Sequence, residues 1–269
     1  MTICLTGDVH HLSMETRDQA HLDRTEVDAA LEYARIARSY DLSATLFLTG
    51  RCGVEEPDRC RQLGEQHGIE IGGHNYYAFR APVLGRKPYG LCRKLFGVDA
   101  PAFVQRWEVR RTRRVLGALS GEPVTSWRDH GYRHDSNTTT VLREQGITHF
   151  SDDVTPERTD VYEKDGLVCA PINVLPDHEH LYHGDRTPEY VAQLEWSNAF
   201  TDRSYEPDDW LDRVLDGIER IRQDGGTATV LAHPACMDIV DGFDVFERLC
   251  SHLSEYETRQ MRDVSPSRQ

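Results

Sequence analysis

Seven short apolar runs punctuate this chain at intervals, and the stretches between them carry helical periodicity. The runs are TICLTG (2–7), ATLFLTG (44–50), GIEIGG (68–73), VTSWRD (124–129), THFSDD (148–153), LVCAPIN (167–173) and TATVLAHP (227–234). Each is rich in β-branched or aliphatic residues and closes on Gly, Asp, Asn or Pro, as strands do. Between the first two, 26–40 sets Val27, Ala30, Leu31, Ala34 and Ala37 on one helical face. Segment 55–68 has Pro57 near its first turn and ends on Gly68. Helical patterns follow at 103–121, 136–146, 187–200, 207–226 and 244–253.

Strand–helix alternation of this kind specifies a parallel sheet. Seven strands predict a single α/β domain, a closed or nearly closed barrel over residues 1–262, with an open doubly wound sheet as the alternative. The segment at about 80–104 breaks the rhythm with Gly, Pro and basic residues and reads as a loop inserted over the rim. Residues 263–269 read as a disordered tail. Neither GxGxxG nor a Walker pattern follows the first strand, so nucleotide binding has no support.

Charge narrows the partners. The 269 residues carry a net charge of −14, with 45 acidic against 31 basic side chains. Nucleic acid is not an expected partner, because phosphate recognition needs a basic face. The seven cysteines stand singly, without a CxxC pair, which suits reduced thiols and a cytoplasmic location. The first residues already read as strand, so no leader is expected, and no apolar run spans a bilayer.

In barrels of this type, reactive groups gather where strands end. Strand ends here offer Asp8 and His10, then His74, then Arg128, Asp129 and His130, then Asp152 and Asp153, then His233. Asp8 and His10, two apart, face the same side of a continuing strand; His11 faces the other way and reads as structural. His74 follows two glycines that permit close approach to a ligand. Arg128 suits a forked bond to a carboxylate. Asp152 and Asp153 either steer a histidine or cap a turn. His233 is placed to shuttle a proton.

Taken in order, LTGDVHH (5–11), the run ending in GIEIGGH (68–74), WRDHGYRHD (127–135), LPDHEHL (175–181) and VLAHP (230–234) resemble the motifs of the polysaccharide deacetylase superfamily, the carbohydrate esterase family four and its relatives. The resemblance extends from Ile3 to about Leu249. It implies a distorted (β/α)7-type barrel that hydrolyses amide C–N bonds with a divalent metal, and the oxygen and nitrogen donors of Asp8, His10 and His74 suit zinc or another borderline divalent ion. It implies Asp8, Arg128 and His233 as catalytic residues, with His233 as general acid. It implies His74 as a metal ligand and places His10 where an acidic ligand stands in some members.

Departures from the pattern matter as much. Ala78 stands where the second metal histidine is expected, and His130 replaces a proline. We therefore expect a rearranged metal set of Asp8, His10, His74 and His130, with Asp177, His178 and His180 in reserve. A small soluble substrate is expected, such as an N-acetylated sugar, with Arg80, Arg86 and Lys87 available to an anionic group. The competing readings are a catalytically inactive barrel that binds a sugar or partner, and a hydrolase of cyclic, allantoin-like amides.

Overall fold

The computed structural model describes residues 1–80, 87–196 and 198–266. Among these residues nine strands form one sheet: β1 (Thr2–Val9), β2 (Ala44–Leu48), β3 (Ile69–Gly73), β4 (Ser126–Trp127), β5 (His149–Phe150), β6 (Tyr162–Lys164), β7 (Leu167–Cys169), β8 (Thr227–Leu231) and β9 (Glu257–Thr258). Their order is β6-β7-β5-β4-β3-β2-β1-β8, with β9 paired to the first residues of β1. Every ladder is parallel except β6–β7. Among the described residues no ladder joins β8 to β6. The mixed α/β domain is therefore an open sheet, a barrel distorted to the point that it does not close.

Two strands lie outside the seven expected. β6 turns back on β7 through Asp165 (φ 53°) and Gly166 (φ 77°), the Asp-Gly pair that a two-residue hairpin demands. β9 joins at the far end of the chain. The C-terminal residues are tied down as far as Val264, which is buried and whose carbonyl lies 3.1 Å from His149 Nε2. Residues 267–269 of the expected tail lie outside the described residues.

Among the described residues ten helices alternate with the strands: α1 (Glu26–Ser39), α2 (Cys52–Glu55), α3 (Pro57–Gly64), α4 (Lys87–Phe96), α5 (Ala102–Ser120), α6 (Thr138–Glu144), α7 (Pro188–Val191), α8 (Pro207–Asp224), α9 (Pro234–Asp241) and α10 (Asp244–Leu253). Thr25 caps α1 by accepting from the Asp28 N–H. The inner face of α1 packs on the sheet and on α10, where Tyr33 stacks on Phe246 with ring centroids 4.0 Å apart. The helix expected over 187–200 shortens to the single turn of α7. Beyond it Trp196 is drawn against His180, at 5.3 Å, and under Arg186, at 4.9 Å. Within the segment read as a rim loop, residues 87–96 form α4, while 81–86, including Arg86, lie outside the described residues. Among the described residues no helix is long and apolar enough to cross a membrane.

Because the central strands are parallel, their C-terminal ends share one edge. That edge presents His10 after β1, His74 after β3, Arg128 to His130 after β4 and His233 after β8. The two glycines before His74 leave room for aromatic rings. A Cβ on Gly72 would lie 2.4 Å from the Phe47 ring, and one on Gly73 2.3 Å from the Trp127 ring. They exist so that two aromatic rings can lie flat against β3 beneath the site.

Gly73→Ala should therefore destabilise the fold by about 1–3 kcal/mol through overpacking. Gly90→Ala, on exposed α4 with nothing within 4 Å of the new methyl group, should be neutral or stabilising by up to about 1 kcal/mol. Urea unfolding of the two variants checks the contrast.

Candidate metal centre

Arg128 is the base of the site. It is fully buried, and its carbonyl and guanidinium both face inward. Nη1 donates to Asp8 Oδ1 at 3.0 Å and to Thr6 Oγ1 at 3.1 Å; Nε and Nη2 donate to the carbonyl and hydroxyl of Ser151. The plane lies over Phe47, 4.5 Å from its centroid. Contact with Asp8 is a single bond through Oδ1, not the fork expected, because the other guanidinium nitrogens are taken by Ser151. Burial pushes the Asp8 carboxyl up, but Arg128, with His74 and His233, outweighs it and holds the group at about 2. Asp8 is thus an anion at neutral pH, and its free Oδ2 faces His74 Nε2 at 3.9 Å and His233 Nε2 at 3.7 Å.

Three imidazoles converge beside it. Ring centroids of His10, His74 and His130 lie 5.0–5.4 Å apart, and a nitrogen from each lies within 4.8 Å of the others. The tautomers of His10 and His74 are legible from their outer partners. His74 Nδ1 lies 2.9 Å from the Arg128 carbonyl, which only a donor can satisfy, so its Nε2 presents a lone pair to the cleft. His10 Nδ1 lies 2.9 Å from the Glu26 carboxylate, which likewise leaves Nε2 as an acceptor, 3.1 Å from His130 Nδ1. Burial lowers His74 to about 4, so it stands neutral, the form a metal ligand requires. For His10 burial acts downward, but the Glu26 carboxylate overcomes it and raises the group.

Lone pairs aimed at one another are unfavourable unless protons or a cation lie between them. The inward nitrogens of His10 and His74, oriented from behind by a carboxylate and a carbonyl, form with the His130 ring a donor set that fits a borderline divalent ion such as zinc. Asp8 approaches this set through His74.

His233 faces the set across Asp8. Its Nδ1 lies 2.7 Å from Asp177 Oδ1, and its backbone N–H donates to Oδ2 of the same carboxylate. Burial opposes its charge, yet Asp177 and Asp8 raise it to about 10, so the ring is an imidazolium at neutral pH. Nε2 then carries the proton directed at Asp8 Oδ2. Asp8, His10, His74, His130 and His233 line one cleft of about 560 Å³, whose wall also holds Arg17, Arg80 and Arg186.

Ala78 is buried and left-handed (φ 48°), in a turn with Asn75 (φ 59°) and Phe79 (φ 55°). Asn75 Oδ1 accepts the His130 N–H at 2.7 Å while its amide donates to Asp129 Oδ1. The chain thus brings His130 to the rings from β4. Glu26 and Asn75 escaped the sequence reading. Glu26 looks like an ordinary first-turn acid of α1, and only the packing of α1 under His10 reveals its use. Asp177, held in reserve as a ligand, orients His233 instead. His180 faces Arg203 O, Trp196 and Phe200, away from the cleft. His11 bonds Thr49 in the core, as a structural histidine should. Asp152 accepts the Asp129 N–H and pairs with His134 at 3.3 Å, and Asp153 accepts from Tyr162.

No family model matches the sequence, and a search of curated proteins finds no match to it. Solved structures do match. A candidate polysaccharide deacetylase from Mycobacterium smegmatis is similar at TM-score 0.69 and 16% identity, over 97% of this chain and 87% of that one. Puue allantoinase is similar at 0.63 and 13%, over 97% and 86%. BA3943, a CE4 family pseudoenzyme from Bacillus anthracis, is similar at 0.56 and 15%, over 97% and 64%. At these identities the likeness concerns architecture: the chain has the polysaccharide-deacetylase-like fold, in its open and distorted form.

Proposed function

We propose that this protein is a metal-dependent hydrolase of amide C–N bonds that acts on an N-acetylated sugar or a similarly small substrate. The observation that carries this reading is the convergence of three groupings on one cleft: the His10–His74–His130 rings, the Asp8–Arg128 pair and the His233–Asp177 pair. The fold shared with a candidate polysaccharide deacetylase supports it.

His10, His74 and His130 would hold the ion. When bound, a divalent cation polarises an amide carbonyl and acidifies water. Asp8 is the proton acceptor. Arg128 keeps it ionised and keeps Oδ1 occupied, so that Oδ2 alone is available. A carboxylate at about 2 is a weak base, which is why this chemistry needs acidified water. His233 is the acid that protonates the departing nitrogen; Asp177 keeps it charged and fixes its Nε2–H toward the cleft. Arg17, Arg80 and Arg186 line the outer wall and suit hydroxyl-rich or anionic substrate groups.

The second reading, a barrel that binds without turnover, has Ala78 in its favour, and a pseudoenzyme shares this fold. A third, cyclic-amide hydrolysis, draws on the allantoinase likeness. Assaying acetate release from acetamido sugars alongside ring opening of cyclic amides separates all three.

Metal content is the first check. Zinc measured by elemental analysis should fall in His74→Ala and His130→Ala, and Glu26→Gln should weaken binding about 10–100-fold by freeing His10 from its orienting carboxylate. Unchanged affinity in all three variants contradicts the ligand set. His233→Ala should retain metal yet lose turnover by about a hundredfold or more; normal turnover refutes the acid.

The charge on His233 can be read directly. In metal-free protein its ring should titrate near pH 10 by NMR, and Asp177→Asn should bring it down toward the ordinary 6.5. The folded value lies above the ordinary one. The stabilisation it contributes is therefore complete below about pH 6.5 and lost as pH rises through about 10. A wild-type ring that titrates near 6.5 would overturn this assignment.

A further inference from the structure

A second group of donors lies on the other side of His233, in residues that the proposed chemistry does not use. Asp18 opens a short 3-10 turn after β1, His178 and His183 lie in the loop that follows β7, and Cys236 sits in the first turn of α9. One donor atom from each lies within 4.8 Å of all the others. Cys236 Sγ is 3.3 Å from His183 Nε2 and 3.9 Å from His178 Nδ1. Asp18 reaches His183 Nε2 and His178 Nδ1 with its two oxygens, each at 3.7 Å.

A cysteine beside a histidine and an aspartate invites comparison with a nucleophile triad, but the geometry is wrong for one. A triad places the carboxylate on the ring nitrogen opposite the thiol. Here His183 Nδ1 donates to the Leu181 carbonyl at 2.7 Å. Its Nε2 therefore offers a lone pair, and both the thiol and the carboxylate face that same nitrogen. Cys236 and the His183 side chain are almost wholly buried, at 1% exposure each. Asp18 and His178 close the group from the solvent side. Asp177 and His233, which also lie near Cys236, are already bonded to each other, so the donors left to converge are Asp18, His178, His183 and Cys236.

The geometry points to a second metal site, made of one sulfur, two imidazole nitrogens and one carboxylate oxygen. Zinc accepts each of these donor types and takes four of them in a tetrahedral site. Binding exchanges the thiol proton for the ion, with release of that proton to solvent. The ion clasps three segments that are far apart in sequence: the turn at Asp18, the 178–183 loop and the start of α9. It also fixes His178, whose ring centroid is 5.4 Å from that of His233. The clasp thus closes the rim of the cleft beside the group assigned as the acid.

Cobalt titration of the metal-free full-length protein tests this. Co(II) bound to a thiolate shows a near-ultraviolet charge-transfer band that a nitrogen and oxygen set lacks. Wild type should bind about two equivalents, one of which carries the band. Cys236→Ser should abolish the band and one equivalent. Asp18→Asn, at a partly exposed position that does not endanger folding, should weaken the band-bearing equivalent about tenfold or more. His74→Ala should remove the other equivalent and leave the band. Absence of the band in wild type, its survival in Cys236→Ser, or unchanged affinity in Asp18→Asn overturns the inference. A single equivalent that carries the band upholds this site and removes the neighbouring one; a single equivalent without it does the reverse.

Discussion

A guanidinium with no access to solvent underlies everything above it. Burying Arg128 without partners would cost several kcal/mol; here the oxygens of Thr6, Asp8 and Ser151 and the face of Phe47 replace water. Those partners belong to β1, the segment after β5, and β2. One side chain therefore locks the relative positions of strands that the sheet itself joins weakly, since β4 and β5 are two residues long and β3 meets β4 at a single pair. Its carbonyl also sets the tautomer of His74. Structure and site chemistry are in this sense the same set of bonds.

From that anchor the cleft divides its charges. Asp8 is held as an anion, His233 as a cation and His74 as a neutral base, each by a different balance of burial and neighbours. Groups with separated protonation states in one cleft are what acid–base chemistry at a single pH requires. Asn75, in a left-handed turn that suits asparagine, takes the His130 backbone N–H and brings that ring to the other two.

Strand ends were legible in the sequence because each apolar run stops on a polar residue, and parallel strands must share an edge. His10, His74, His130 and His233 followed from that rule and from the family resemblance. What stayed hidden depends on tertiary contact. Glu26 resembles any acid in a first helical turn until α1 is docked beneath His10. Asp177 lies in a loop rich in ionisable groups, and nothing in its neighbours says that it bonds His233. The close packing of Phe47 and Trp127 against Gly72 and Gly73 is likewise a tertiary contact that no local pattern shows. The hairpin of β6 and β7, by contrast, has a local signal in the Asp-Gly pair at 165–166. The failure of the sheet to close depends on edge pairings that no local pattern encodes.

The account rests on a cation held by three imidazoles. The most direct measurement is an anomalous difference map from crystals grown with zinc and collected at its absorption edge. The account predicts a peak within bonding distance of His10 Nε2, His74 Nε2 and a His130 ring nitrogen. A map with no peak among those rings, in protein whose zinc is otherwise bound, would contradict it.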